Sequence, residues 1–302
     1  MPDIASDEFW TKKGDVSLYV YRKQLSEPAR DGAARPVFFL VHGSSFGGRT
    51  SFDLIVDGRN HYSMMDHFAE RGFDVWTMDH EGYSRSDRTD GNSDIASGVA
   101  DLECAMEIVE RETGRRSVLM YGQSSGALRA AAYAEAHPDR VDRVILDAFV
   151  WTGKDAPTLI KRAEKLDEFR AHNVRPVDQN FYESIFTRDK PGTSEPHIGK
   201  AIADVELQFG DTVPSGTYLD MCANLPLVDP EKVECPVLIV RGEHDGIATE
   251  EDLINFFRLL PNTDKQFVVV AGQAHSSTLG INRHRFFHIV EGFITFPARL
   301  DR

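Results

Sequence analysis

In the stretch LMYGQSSGALRA, the pentapeptide Gly122-Gln123-Ser124-Ser125-Gly126 stands between an apolar run and an alanine-rich segment. A G-x-S-x-G pattern between a strand and a helix is the context of a sharp turn that exposes its central serine. Small residues must flank that serine, because a Cβ there would meet neighbouring backbone; Gly122 and Gly126 supply the room. A serine hydroxyl is a poor nucleophile at neutral pH, so it needs a base within hydrogen-bond reach and an acid that orients the base. Both are present in the right order. Asp245 ends the loop after a strand-like run in VLIVRGEHDGIA, and His275 lies in the loop after the next run, in FVVVAGQAHSS. Ser124, Asp245 and His275 are therefore the expected nucleophile, acid and base. Glu243 and His244, beside Asp245, are the rivals for the acid and for a local ligand role.

Acyl transfer also needs donors aimed at the oxygen that becomes negative. The glycine-rich loop in FFLVHGSSFGG follows directly on the run Val37–Val41. The backbone N–H of Ser44, with that of Ser125 just after the nucleophile, is the expected oxyanion hole; Ser45 takes the place of Ser44 if the loop shifts by one residue.

These residues need a scaffold that brings loop ends together. Runs apolar throughout occur at Val37–Val41, Val75–Met78, Val118–Tyr121, Val144–Leu146, Val237–Val240 and Phe267–Val270. Unbroken apolar runs read as strands buried on both faces, hence as a mostly parallel sheet. Helical patterns separate them at Ser63–Arg71, Val99–Glu112, Ala127–Ala136 and Glu250–Leu260. The alternation predicts an α/β fold, a central sheet flanked by helices with right-handed crossovers. Residues 151–234 break it with helix-like segments and the loop signals DKPGTSEP and DTVPSG. They read as a helical lid inserted after the sixth strand, into a core made of residues 1–150 and 235–302. The segment DVSLYVYRKQ predicts an edge strand, and Ser26–Arg35 a hairpin or loop.

A chain of 302 residues with 41% hydrophobic and 27% charged residues folds as an ordinary globular protein. Its formal charge of −14 and lack of a dense basic run argue against nucleic acid as a partner. Cys104, Cys222 and Cys235 have neither disulfide nor zinc-site spacing. His42, His61, His67 and His80 lack ligand spacing, and no phosphate loop or dinucleotide fingerprint occurs, so no metal or other cofactor is expected. The start MPDIASDEFW is unlike a signal peptide, and no apolar run is long enough to span a bilayer. A cytoplasmic protein that does not enter membranes is expected.

Together these residues resemble the α/β-hydrolase superfamily. MDHEGYSRSD is similar to that family's D-x-x-G-x-G-x-S loop, with Ser84 at the second glycine, and HPDRVDRVILDA is similar to its passage from the elbow helix into the next strand. With serine at the elbow, the resemblance implies a carboxylesterase-like serine hydrolase rather than a dehalogenase or epoxide hydrolase. The expected reaction is cleavage of a carboxylic ester of a small, largely apolar substrate through an acyl-enzyme on Ser124. A vaguer similarity to monoalkyl phthalate hydrolases, from SFDL through YSMMD to MDHEGY, implies a substrate carrying a free carboxylate as well. Arg49 and Arg129 are then the expected clamps. Trp151, Phe181, Tyr182, Phe186 and Tyr218 supply apolar surface from the lid, with Ser45, Trp151, Tyr182 and Phe186 as the expected pocket residues. A C–C bond hydrolase of vinylogous diketones, an acyltransferase, or a receptor that does not turn over are the alternatives on the same scaffold.

Overall fold

The computed structural model describes residues 2–28, 34–57 and 61–297. Its strands in chain order are β1 (Ile4–Lys13), β2 (Val16–Leu25), β3 (Val37–Val41), β4 (Asp74–Met78), β5 (Val118–Gln123), β6 (Val141–Asp147), β7 (Val174–Pro176), β8 (Thr212–Pro214), β9 (Val237–Gly242) and β10 (Lys265–Val270). Eight of them form one sheet in the order β1-β2-β4-β3-β5-β6-β9-β10. The β1–β2 and β2–β4 pairs are antiparallel, and every pair from β4 across to β10 is parallel.

Side chains alternate across a strand, so each inner strand feeds two cores. Phe39 and Val41 of β3 and Met120 of β5 pack with the helices Ile95–Thr113 and Ser125–Ala136. Phe38, Leu40 and Tyr121 pack on the other face, with Met64–Ala69 and Arg283–Ile294. The long helix begins at Ile95, ahead of the expected Val99, because the Asp94 carboxylate accepts the Ser97 N–H and caps it.

The N-terminus differs from the single edge strand expected. DVSLYVYRKQ is the second strand, and the edge is β1, which pairs with β2 along its whole length. Gly14 at φ +60 takes the first place of a two-residue Gly-Asp loop, the left-handed geometry such hairpins need. Part of the expected hairpin or loop at Ser26–Arg35 lies outside the described residues.

Between β6 and β9 the chain leaves the sheet and forms five α-helices, one short 3-10 helix and the β7–β8 ribbon. Tyr182, Ile185, Phe186, Ile198 and Ile202 of this insertion bury themselves against Phe46, Tyr62 and Tyr83, on loops that follow β3 and β4. Among the described residues no helix is long and apolar enough to cross a membrane.

Candidate active site

The turn after β5 is strained where the sequence places its serine. Ser124 has φ +59 and ψ −124, a backbone region that a residue with a side chain rarely occupies, and the surrounding packing holds it there. Its N–H donates to the Asp147 carbonyl at 2.9 Å, and its own carbonyl accepts from Ala127 at 2.9 Å. A Cβ on Gly122 would lie 2.2 Å from the carbonyl oxygen of Gly126, and one on Gly126 would lie 2.2 Å from that of Val41. Helix, β5 and β3 therefore meet at backbone distance.

The loops after β9 and β10 deliver the other two residues. They are tied together by the His244 N–H, which donates to the Gln273 carbonyl at 2.9 Å. His275 Nε2 lies 3.0 Å from Ser124 Oγ, and its Nδ1 lies 2.9 Å from Asp245 Oδ1. A carboxylate facing Nδ1 keeps the proton on that nitrogen, which leaves Nε2 free to accept the serine proton. Burial by itself would raise the Asp245 carboxyl, yet the neighbouring His275 and the Ile247 N–H, 3.0 Å away, hold it below its ordinary value. Glu243 instead accepts the Gly272 N–H at 2.8 Å, and His244 faces a cavity outside the site.

The β3–β5 pairing sets Val41 opposite Gly122, which carries the loop Gly43–Phe46 over the serine. Ser125 opens its helix, so its N–H has no intrahelical acceptor. No protein acceptor takes the Ser44 N–H among the described residues. The two hydroxyls meet, Ser44 Oγ donating to Ser125 Oγ at 2.6 Å, and clip the loop to the elbow. Two main-chain donors beside a relayed serine suit a tetrahedral oxyanion.

Ser45 lines the cavity with Ser124 and His275, together with Arg162, Ile185, Arg188 and Tyr218 from the insertion. The other expected substrate residues lie elsewhere. Arg49 pairs with Glu8 at 2.9 Å and stacks over Tyr21. Arg129 is wholly buried and donates to the Ser93 carbonyl at 2.9 Å. Trp151 donates to the Val228 carbonyl and packs against Phe256, while Tyr182 and Phe186 belong to the core of the insertion. Arg49, Trp151, Tyr182 and Phe186 satisfy their charge or apolar surface within the fold, and Arg129, although its Nε and Nη1 have no partner among the described residues, does not line the cavity.

Sequence reading also passed over Asp147, at the end of β6. It accepts from Tyr121 Oη at 2.8 Å and from Ser277 Oγ at 3.0 Å, two residues beyond the base. Burial, with the nearby Asp245 adding to it, pushes its carboxyl up to about 7. Its place at the end of the strand after the elbow was the available signal. Asp189 brings a third carboxylate toward Asp245 and His275, with donor atoms of all three within 4.8 Å of one another. Asp245 and His275 are engaged with each other and Asp189 lies 3.5 Å from Arg188, so the set favours an imidazolium rather than a metal ion.

The profile of the serine aminopeptidase S33 family matches residues 33–279. The chain is 25% identical over 297 residues, 90% of its length and 91% of the other's, to the 2-(acetamidomethylene)succinate hydrolase of Mesorhizobium japonicum. It is 29% identical to the 2-hydroxy-6-oxononadienedioate/2-hydroxy-6-oxononatrienedioate hydrolase of Paraburkholderia phymatum over 122 residues, a stretch that spans 38% of this chain and only 36% of that protein. A carboxylesterase from Bacillus subtilis has the same fold, with a TM-score of 0.67 at 16% identity over 97% of this chain and 93% of that one. By profile match and by architecture, the chain belongs to the serine aminopeptidase S33 family of α/β-hydrolases.

Proposed function

We propose that the protein is a serine hydrolase of small carboxylic esters that works through an acyl-enzyme on Ser124, with residues 151–234 as a lid over the core formed by 1–150 and 235–302. One observation carries this reading: the continuous relay from Asp245 through His275 to Ser124, at 2.9 and 3.0 Å. Ser124 Oγ attacks the ester carbonyl as its proton passes to His275 Nε2. The carbonyl oxygen gains the negative charge and takes hydrogen bonds from the Ser44 and Ser125 N–H groups. As the tetrahedral intermediate collapses, His275 gives the proton to the departing alcohol; it then takes one from the water that attacks the acyl-enzyme, and returns it to Ser124 Oγ as the second intermediate collapses and the acid leaves.

Wild type should label with a fluorophosphonate, gaining the adduct mass on Ser124, and should turn over short esters, while Ser124→Ala should do neither. Normal turnover by Ser124→Ala would overturn the assignment.

A second reading is hydrolysis of a C–C bond in a vinylogous diketone. It is favoured by the likeness to the oxononadienedioate hydrolase over 122 residues. Fluorophosphonate labelling without turnover of any simple ester would favour it. Both hydrolases with curated names act, by those names, on molecules with two carboxylate groups, a succinate and a dienedioate.

A further inference from the structure

Three arginines from separate segments of the insertion converge beside the catalytic cavity. Arg162 comes from the helix Pro157–Ala163, Arg175 from β7, and Arg188 from the turn after the helix Gln179–Ile185. They gather on Tyr218, of the helix Gly216–Ala223. The Arg162 and Arg175 guanidiniums lie 3.8 and 3.9 Å from the centre of its ring. Arg162, Arg188 and Tyr218 line both the cavity over Ser124 and the larger one outside it, which Arg175 also lines. They form the partition between the two.

This positive charge is poorly neutralised. Among the described residues Arg162 and Arg175 have no carboxylate within 4.0 Å, and Arg188 has one, Asp189 at 3.5 Å. Among the described residues Arg162 donates only to the sulfur of Met221, at 3.7 Å. Arg175 is 7% exposed, and beyond its 2.6 Å bond to the Ser44 carbonyl its Nε and Nη1 have no partner among the described residues. Buried guanidinium normally sits against a carboxylate, because leaving its donors unused is costly. Tyr218 responds to the same field: burial would raise its phenol, but Arg175, Arg162 and Arg188 pull it down to about 7. In a chain of net charge −14, such a surplus of cation at the entrance of the site is a place for an anion.

We infer that Arg162 and Arg188, backed by Arg175, bind a carboxylate of the substrate, so that the preferred substrates are esters that also carry a free carboxylate. The inference rests on the serine-hydrolase reading for the word ester, but the anion subsite stands apart from it. The guanidinium fork matches a carboxylate edge, and a carboxylate held at the partition would fix the scissile carbonyl against Ser124. This assigns the clamp to residues other than the expected Arg49 and Arg129.

The test uses the full chain and a matched pair, ethyl hydrogen succinate and diethyl succinate. Wild type should favour the monoester at least tenfold in kcat/KM. In Arg162→Met the monoester-to-diester ratio should fall about 10- to 100-fold, chiefly through the KM of the monoester, and Arg162→Lys should regain part of it. Arg188→Met, at a more exposed position, serves if Arg162→Met does not fold. Calorimetry of succinate with Ser124→Ala reads the subsite without catalysis: binding there, weakened tenfold or more by adding Arg162→Met, supports it. Ester turnover without monoester preference and without succinate binding overturns the subsite while leaving the serine reading intact. Succinate binding with no ester turnover keeps the subsite and removes the ester. Tighter binding of inorganic phosphate than of succinate overturns the carboxylate assignment.

Discussion

The Ser84 hydroxyl donates to both oxygens of the Glu206 carboxylate, at 2.9 and 2.7 Å. Ser84 stands at φ +40 in the loop after β4, at the position where the family loop has glycine, and Glu206 ends a helix of the insertion. The hydrogen bonds offset the strain of a left-handed serine and fasten the insertion to the core. Asp79 is fully buried beside them, accepting the Gly48 N–H at 2.7 Å while Glu206 accepts that of Gly47 at 3.3 Å. Burial, with Glu206 next, pushes the Asp79 carboxyl up to about 7.

That shift sets a pH dependence. An aspartate whose folded pKa is raised holds its proton more tightly when folded, so its contribution is complete below about pH 4, its unfolded value, and is lost as pH rises through about 7. Asp79→Asn, neutral at every pH, lacks that loss. The stability of Asp79→Asn relative to wild type should therefore rise between about pH 5 and pH 8, by on the order of 2 kcal/mol. Paired thermal melts across this range check it, and a flat or falling difference would reject the raised carboxyl.

Gly126→Ala would set a methyl 2.2 Å from the Val41 carbonyl oxygen, with backbone on both sides unable to give way. The helix must then move off β3, and the elbow with it. A loss of roughly 3 kcal/mol or more is expected, together with activity. Denaturant unfolding and ester turnover test it; a variant with wild-type midpoint and rate would mean that the close approach is not needed.

If the oxyanion donors are main-chain N–H groups, the side chains of Ser44 and Ser125 act only through their 2.6 Å clip. Ser44→Ala and Ser125→Ala should each lower kcat less than about tenfold and cost about 1 kcal/mol of stability, the worth of one hydrogen bond. A loss of about 10² to 10³ in kcat, typical of removing a donor itself, would show that a hydroxyl serves the oxyanion.

The sheet and relay were legible because both rest on local signals. Unbroken apolar runs marked the buried strands, and Gly122 and Gly126 marked the elbow. Strand β1 was not, since its alternation of half-buried and exposed residues carries charges on the open face; the Gly14-Asp15 pair was its one turn signal. The arginine cluster was less visible still. Arg162, Arg175 and Arg188 lie on unrelated segments, and what separates Arg162 and Arg175 from Arg49 is that, among the described residues, neither has an acidic partner such as Glu8, a fact of tertiary packing alone. The same holds for Glu206, whose surroundings at Ser84 and Gly47 come from two loops more than a hundred residues away.

Two buried carboxylates flank the base, and their contacts predict unequal roles. Asp245 faces His275 Nδ1 at 2.9 Å, so Asp245→Asn would present an amide that can donate toward that nitrogen and favour the wrong tautomer. A fall in kcat of about 10³ to 10⁴, with a parallel slowing of fluorophosphonate labelling, is expected. Asp147 instead accepts from Ser277 Oγ, two residues beyond the base, at 3.0 Å. Its carboxyl, raised to about 7, is already largely protonated in mildly acidic solution, a state that asparagine resembles. Asp147→Asn should then cost less than about tenfold in kcat near pH 6, where both forms are neutral, and its effect should change as pH rises past 7 and wild type gains a charge there. Equal losses from the two variants at pH 6 would mean that the carboxylates share the orienting role, in which case only the double variant would lose the relay.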